Sequence, residues 1–442
     1  MKVYLDTIGC RLNQAEIESM ARQFRAAGHE IVASAEMADA AVVNTCAVTS
    51  AAASDSRGVI RQMARAGVQQ IIPTGCWATL RPQEAAALPN VWRVVANDRK
   101  DQLVLEILDP QKNASAAFRH PQGHSPGQVF HMPPVARQPL PGLRPRTRSF
   151  IKVQDGCNNR CTFCLTTIAR GQGRSRSMAE VAQDIQSALK GGAKEVVLTG
   201  VHLGSWGQEF GLQLRDLVKT VLRETDLPRL RLSSLEPWDL DTEFFFLWED
   251  PRLMPHLHLP LQSGCAATLK RMARKTTPAS FRELVSAARD IIPKAAITTD
   301  VIAGFPGETE AEFTESLDFV REINFAGGHV FTYSPRPGTA AARMSGQVRP
   351  EVRKERNRLL RQALQESANA YRRKVVGLRQ PVLWESASGM GERGWQLEGL
   401  TGNYLRVKAF AASLRWNEID VVELTAVEAD GDGLKGVIIK SG

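Results

Sequence analysis

A chain of 442 residues is too long for one ordinary hydrophobic core and calls for two or three domains. Hydrophobic residues at 43% and charged residues at 23% exclude a disordered chain, and no uninterrupted apolar run is long enough to cross a bilayer. The 56 Lys and Arg against 47 Asp and Glu leave a formal charge of +9, which favours a polyanionic partner such as nucleic acid without requiring one.

The first residues, MKVYLDTIGC, lack the apolar stretch of a secretory leader, so a cytoplasmic location without membrane attachment is expected. Residues 1–108 then alternate short β-branched runs (Val3–Ile8, Ala40–Thr45, Gln70–Thr74) with helical stretches around Ala15–Ala27 and Ala51–Ala66. That alternation predicts an open, mostly parallel α/β sheet. Residues 109–148 hold eight of the 23 prolines with Gly, Ser, His and Arg between them and read as a linker.

From residue 149 the alternation resumes. Candidate strands are FIKVQ, EVVLTG (195–200), RLRLSS (229–234), HLHLPL (256–261), ITTDVIAG (297–304) and GHVFTYS (328–334). Helical segments such as Met178–Lys190, Phe281–Ile292 and Glu310–Ile323 separate them. Six β-then-α units predict a partial (β/α)6 barrel with its site at the strand C-terminal edge, extending through a polar helix to residue 376. Residues 377–442 return to short strands with Gly-rich turns (PVLWES, GWQLEGL, YLRVKAF, DVVELTAVEA) and predict a small antiparallel β-barrel. The predicted class is therefore α/β, with three folded domains and one linker.

Seven cysteines suit metal or redox chemistry better than disulfides in a reducing compartment. Cys10, Cys46 and Cys76 each follow a predicted strand, in DTIGC, VVNTC and PTGC. In an open parallel sheet ligands gather beyond the carboxyl ends of the strands, so these thiols can converge although far apart in sequence; three small core cysteines are the plainer alternative. Cys157, Cys161 and Cys164 form DGCNNRCTFC, a C-x3-C-x2-C run that suits an iron–sulfur cluster. Three ligands leave one iron of a four-iron cube open for chemistry. A structural zinc site would want a closed fourth ligand, and none follows nearby. Cys265, in LQSGC, reads as an unligated thiol. GFPGET resembles a phosphate loop but lacks the Walker lysine and reads as a turn opening a helix.

The C-x3-C-x2-C run resembles that of the radical-SAM superfamily. TIGCRLNQAE, VVNTCAVT, PTGCWA, CNNRCTFC, LTGVHLGSWG, SSLEP, HLPLQSG, DVIAGFPGETEAEF and YSPRPGT follow in the order seen in radical-SAM methylthiotransferases. The resemblance extends to the C-terminal barrel, which is similar to a TRAM domain. GVHLGSWG, SSLEP and YSPRPGT look most like the branch acting on N6-threonylcarbamoyladenosine at position 37 of tRNA. The chain departs from the common pattern at Trp77, Thr79 and Thr167. Related members act on isopentenyladenosine in tRNA or on a ribosomal-protein aspartate. A non-catalytic RNA-binding scaffold with structural metal is the alternative of another class.

The resemblance implies two [4Fe–4S] clusters. One, on Cys157, Cys161 and Cys164, binds S-adenosylmethionine (SAM) and yields a 5′-deoxyadenosyl radical. The other, on Cys10, Cys46 and Cys76, holds the sulfur that enters C2 of the adenine as methylthio. The two α/β domains would then pack with their strand C-terminal edges together. Phe163, Gly200, Glu236 and Gln262 are the candidate SAM contacts. Arg170, Arg174 and Arg176 are candidates for SAM carboxylate or RNA phosphate, and their charge alone admits both. The helix over 350–376 with its flank to Gln380 carries nine Arg or Lys against three acids and is a candidate phosphate-contacting face. Trp384, Trp395 and Tyr404 are candidate base-stacking rings, with a core role as the plainer alternative. The implied partners are the tRNA anticodon loop and a low-potential electron donor of flavodoxin or ferredoxin type.

Overall fold

The computed structural model describes residues 1–108, Gln138, Leu140 and 147–439. Most of the linker expected over 109–148 lies outside them. The N-terminal part runs β1 (Lys2–Thr7), α1 (Arg11–Ala26), β2 (Glu30–Ile31), β3 (Ala40–Thr45), α2 (Ser50–Arg65), β4 (Gln70–Thr74), α3 (Gly75–Leu80), α4 (Pro82–Ala86) and α5 (Leu103–Leu108). Its four strands are parallel, in the order β2-β1-β3-β4. Every residue of β3 is buried, because helices cover both faces of the sheet. Ile17, Met20 and Phe24 of α1 pack with Leu103 and Ile107 of α5 on one face; Ile60, Met63 and Trp77 cover the other.

The central part runs β5 (Arg148–Lys152), β6 (Gln154–Asp155), α6 (Thr166–Arg170), β7 (Arg174–Ser175), α7 (Met178–Lys190), β8 (Glu195–Thr199), α8 (Leu214–Glu224), β9 (Arg229–Leu232), α9 (Thr242–Phe245), β10 (His256–His258), α10 (Ala266–Arg271), α11 (Pro278–Ile291), β11 (Ala296–Ala303), α12 (Glu310–Ile323), β12 (Gly327–Thr332) and α13 (Pro350–Val375). Strands β5-β8-β9 and β10-β11-β12 are parallel sheets. Parallel bridges at Leu230–Leu253 and Ser234–His258 join them into one curved, open barrel wall. The predicted helices Met178–Lys190 and Glu310–Ile323 are matched end to end, each opened by a capping box (Ser177 with Glu180, Thr309 with Glu312). Helix α1 leans on β5, where Ala15 packs with Phe150 and Val197.

The C-terminal part closes as a barrel in the order β13 (Arg379–Gly391), β14 (Gly394–Thr401), β15 (Arg406–Ala411), β17 (Leu434–Ile438), β16 (Ile419–Val427). Two features depart from the expected antiparallel barrel. A fifth strand, β17, forms over LKGVI, and it pairs parallel to β15, with Val407 opposite Leu434. An odd number of strands cannot alternate direction all the way around a closed ring, so one parallel pair is required. Among the described residues no helix is long and apolar enough to cross a membrane.

All three parts meet at Tyr404. Its ring stacks on His256 at 4.7 Å between centroids, and its hydroxyl accepts a hydrogen bond from Arg11 Nη2 at 2.9 Å. Arg231 lies over the ring at 4.9 Å, and Arg11 and Arg148 at 5.6 Å. Arg231 also donates to the Gly402 carbonyl (2.9 Å) while paired with the fully buried Glu195 at 2.7 Å.

Candidate functional site

Cys10, Cys46 and Cys76 stand at the carboxyl ends of β1, β3 and β4, at the start of α1, beyond β3 and in the first turn of α3. Gly9, at φ +107°, is what lets the first two approach: a Cβ there would lie 2.6 Å from Cys46 Sγ. Asn13 donates through Nδ2 to the Ile8 and Thr45 carbonyls (2.8 and 3.1 Å), so its Oδ1 faces Cys10 Sγ at 3.7 Å. Asn97 Nδ2 donates to Cys76 Sγ at 3.7 Å. Desolvation by the surrounding protein pushes the Cys10 and Cys46 thiols up, with the neighbouring thiol of Cys76 acting the same way and the Arg170 guanidinium opposing.

The second set follows β5. The Cys157 sulfur accepts from the Asn159 amide (3.4 Å), the Cys164 sulfur from the Thr166 amide (3.4 Å), and the Cys161 sulfur from Arg274 Nη1 (3.8 Å). Arg274 is held by Glu236 (2.6 and 3.2 Å) and the Pro260 carbonyl (2.8 Å), with its guanidinium 4.4 Å from the Trp238 ring centre. Burial pushes the Cys161 thiol up and Arg274 pulls it back. His202, beyond β8, pairs with Asp239 at 2.5 Å and touches Asn159 at 3.3 Å. Burial opposes its charge, but Asp239 and Cys157 outweigh that and its pKa is pushed up to about 9.

Four sulfurs thus receive N–H groups from amide or guanidinium nitrogens. Thiol donors with such second-sphere hydrogen bonds fit iron–sulfur ligation. Among the described residues no group of three His, Cys, Asp or Glu side chains forms a site for one metal ion.

A buried ionic network lies between the two sets. Arg170, on α6, pairs with Glu16 and Asp155 at 2.9 Å and donates to Asn13 Oδ1 at 2.8 Å. Lys100 pairs with Glu16 at 2.7 Å, and Lys152 reaches from the edge of the network to the exposed Asp101 at 2.7 Å. Burial opposes the Glu16 charge, yet Arg170, Lys100 and Lys152 hold its carboxyl well below the usual range. At the rim Arg336 reaches across to the Val48 carbonyl at 2.9 Å. The strand C-terminal edges of the two α/β parts therefore face one another, as the resemblance implied.

The residues proposed from sequence fall in several places. Phe163 is half-buried, edge-on to Phe305 at 6.3 Å. Glu236 is engaged by Arg274. Gln262 takes a left-handed backbone, φ +70°, after β10. Gly200 does leave room, but for a protein side chain: a Cβ there would lie 2.9 Å from Gln154 Cβ. Arg170 is buried and its two Nη groups are engaged by Glu16, Asp155 and Asn13, so it does not face an RNA phosphate. Arg174 pairs with Asp155 (3.3 Å) and Arg176 with Asp184 (2.6 Å). On α13, Arg356 is buried against Glu308 at 2.8 Å, whereas Arg361, Arg373 and Lys374 are exposed. Trp384 is fully buried, Trp395 packs against the barrel core, and Tyr404 is enclosed at the joint; core and joint roles replace base stacking for the three. Asn13, Asn97, His202 and Arg274 escaped the sequence reading. Nearness to motif residues marked two of them, Asn13 three positions after Cys10 and His202 inside GVHLGSWG; Asn97 and Arg274 lie outside the motifs.

The model of the uncharacterized protein family UPF0004 matches residues 2–96, and that of the radical SAM superfamily matches residues 151–320. The threonylcarbamoyladenosine tRNA methylthiotransferase MtaB of Thermotoga maritima is 37% identical over 386 residues, covering 87% of this chain and 86% of the relative. The chain belongs to the radical-SAM methylthiotransferase family. The tRNA-2-methylthio-N(6)-dimethylallyladenosine synthase of Acidothermus cellulolyticus is 34% identical over 90% of this chain and 79% of its own. The solved radical SAM methyltransferase TsrM of Kitasatospora setae, with tryptophan and a SAM analogue bound, superposes with a TM-score of 0.59 at 13% identity. It covers 88% of this chain and 79% of that one and shows the shared fold. As a methylthiotransferase of this family, the enzyme uses two [4Fe–4S] clusters and SAM as cofactors.

Proposed function

We propose that this methylthiotransferase inserts a methylthio group at C2 of N6-threonylcarbamoyladenosine at position 37 of tRNA. In this reading Cys157, Cys161 and Cys164 hold the SAM-cleaving cluster, and Cys10, Cys46 and Cys76 hold the auxiliary one. The single observation that carries it is the facing of two three-thiol sets across one interface: Cys10, Cys46 and Cys76 each beyond the carboxyl end of a parallel strand, and Cys157, Cys161 and Cys164 in one loop after β6. When bound, the clusters and SAM would relay the donor's electron, form the carbon radical and hold the sulfur that is inserted.

The chain's own residues orient and insulate. Arg274 and the Asn159 and Thr166 amides donate to the thiolates and orient them. Glu236 holds Arg274 in place. Phe163 and Gln262 would contact SAM, and Gly200 leaves the space that Gln154 fills. His202, paired with Asp239, sets a positive charge beside the Cys157 loop. The C-terminal TRAM-like barrel and the exposed cations of α13 engage the anticodon arm; a looped base must be unstacked to reach the interface. A low-potential flavodoxin- or ferredoxin-type donor supplies electrons in the cytoplasm.

Relatives at up to 37% identity named for threonylcarbamoyladenosine support this nucleoside over the isopentenyl one. Mass spectrometry of tRNA nucleosides from a deletion strain tests it. Loss of 2-methylthio-threonylcarbamoyladenosine, with the isopentenyl product intact, is expected; the reverse pattern would assign the other substrate.

A further inference from the structure

Resting on that reading of the two cysteine sets, we propose that helix α6, through Arg170 and the Ala169 carbonyl, is the positioning element that fixes the auxiliary cysteine set against the radical-forming one. The helix begins two residues after Cys164, so its placement follows the Cys157–Cys164 loop directly. Two contacts run from it to the other set. The Arg170 guanidinium donates to Asn13 Oδ1 at 2.8 Å, the same oxygen that faces Cys10 Sγ at 3.7 Å. The Ala169 carbonyl accepts from Asn97 Nδ2 at 2.7 Å, the same nitrogen that donates to Cys76 Sγ at 3.7 Å. Each link is therefore one amide wide: one amide touches both an auxiliary sulfur and α6.

Both amides are themselves fixed. Asn13 uses its two N–H bonds on the Ile8 and Thr45 carbonyls, at the ends of β1 and β3. Asn97 is 2% exposed, its backbone N–H donates to Thr79 Oγ1 at 2.9 Å, and its Oδ1 is buried without a partner among the described residues. With both donors of its amide committed, the side chain has one orientation that serves Cys76 and α6 together. Arg170 is fixed by four bonds: to Glu16 Oε1 and Oε2 (2.9 and 3.4 Å), Asp155 Oδ1 (2.9 Å) and Asn13 (2.8 Å). The planar fork that reaches three acceptor side chains at once is particular to arginine, and a lysine would reach fewer. A radical formed at one centre must meet substrate and sulfur at the other, and such a step is sensitive to displacements of an ångström.

The test uses Asn97→Ala, which leaves the buried charges in place, with Arg170→Lys as the second variant. Each full-length protein is reconstituted anaerobically. Three quantities are read: iron content, the electron paramagnetic resonance spectrum of each reduced cluster, and methylthio product formed per 5′-deoxyadenosine released. For Asn97→Ala we expect unchanged iron, an altered spectrum of the Cys76-side cluster alone, and a product-to-deoxyadenosine ratio at least tenfold lower. Arg170→Lys is expected to lower the ratio in the same direction. Wild-type ratio and spectra in both variants would overturn the positioning role. A wild-type protein carrying one cluster, or forming no methylthio product on any tRNA, would instead overturn the functional reading beneath it.

Discussion

Arg274 shows how much one side chain can be asked to do at this site. It binds both oxygens of Glu236, caps the Pro260 carbonyl, lies over Trp238 and still presents Nη1 to Cys161 Sγ. Second-sphere donors of this kind typically change metal affinity or activity by about 10–100-fold when removed. Arg274→Gln should therefore slow reductive release of 5′-deoxyadenosine by at least about tenfold, with the iron on the Cys10 side unchanged. A rate equal to wild type, measured under the same reductant, would remove Arg274 from the cluster's surroundings. At this scale the sequence was legible where chemistry is local. The spacing of Cys157, Cys161 and Cys164 is a loop property and needs no long-range information. The roles of Arg170, Arg174 and Arg176 were not legible, because a cation close to a cluster loop looks alike whether it meets a phosphate or a distant carboxylate. Arg170 meets Glu16, 154 residues earlier in the chain.

At the scale of elements, the joint around Glu195 ties the central barrel to the C-terminal one. Glu195 is buried on β8 between Arg231 (2.7 Å) and Arg229 (2.9 Å), and these arginines bind the Thr401, Gly402 and Leu400 carbonyls. Burial alone would raise its pKa, yet the two guanidinium groups hold it at about 2 against an ordinary 4.5. A folded pKa below the unfolded one stabilises the fold above about pH 4.5, and that contribution disappears as pH falls toward 2. The shift corresponds to about 3 kcal/mol. Urea denaturation of the apo-protein should find Glu195→Gln less stable than wild type above pH 5, with the gap narrowing as pH approaches 2. A gap independent of pH would contradict this. Most elements here were readable because apolar runs alternate with amphipathic helices; the capping boxes that open α7 and α12 agree with the predicted starts. Strand β17 escaped because it is short and carries Gly436 within it, and its parallel partner β15 follows only from the closure of five strands.

At the scale of the whole molecule, two parallel α/β layers present their strand carboxyl edges to each other, and the two thiol sets lie on those edges. Only long-range packing brings Cys10, Cys46 and Cys76 beside the barrel; the sequence indicated strand ends, and the interface itself came from α1 against β5 and Arg170 against Glu16. The most direct measurement is iron and sulfide content with SAM cleavage, comparing wild type with the triple variant Cys10→Ala, Cys46→Ala, Cys76→Ala. Two four-iron clusters predict about eight irons per wild-type chain and about four in the variant. The variant should still release 5′-deoxyadenosine but form no methylthio nucleoside. Zinc in place of iron, or about eight irons retained by the triple variant, would contradict the account.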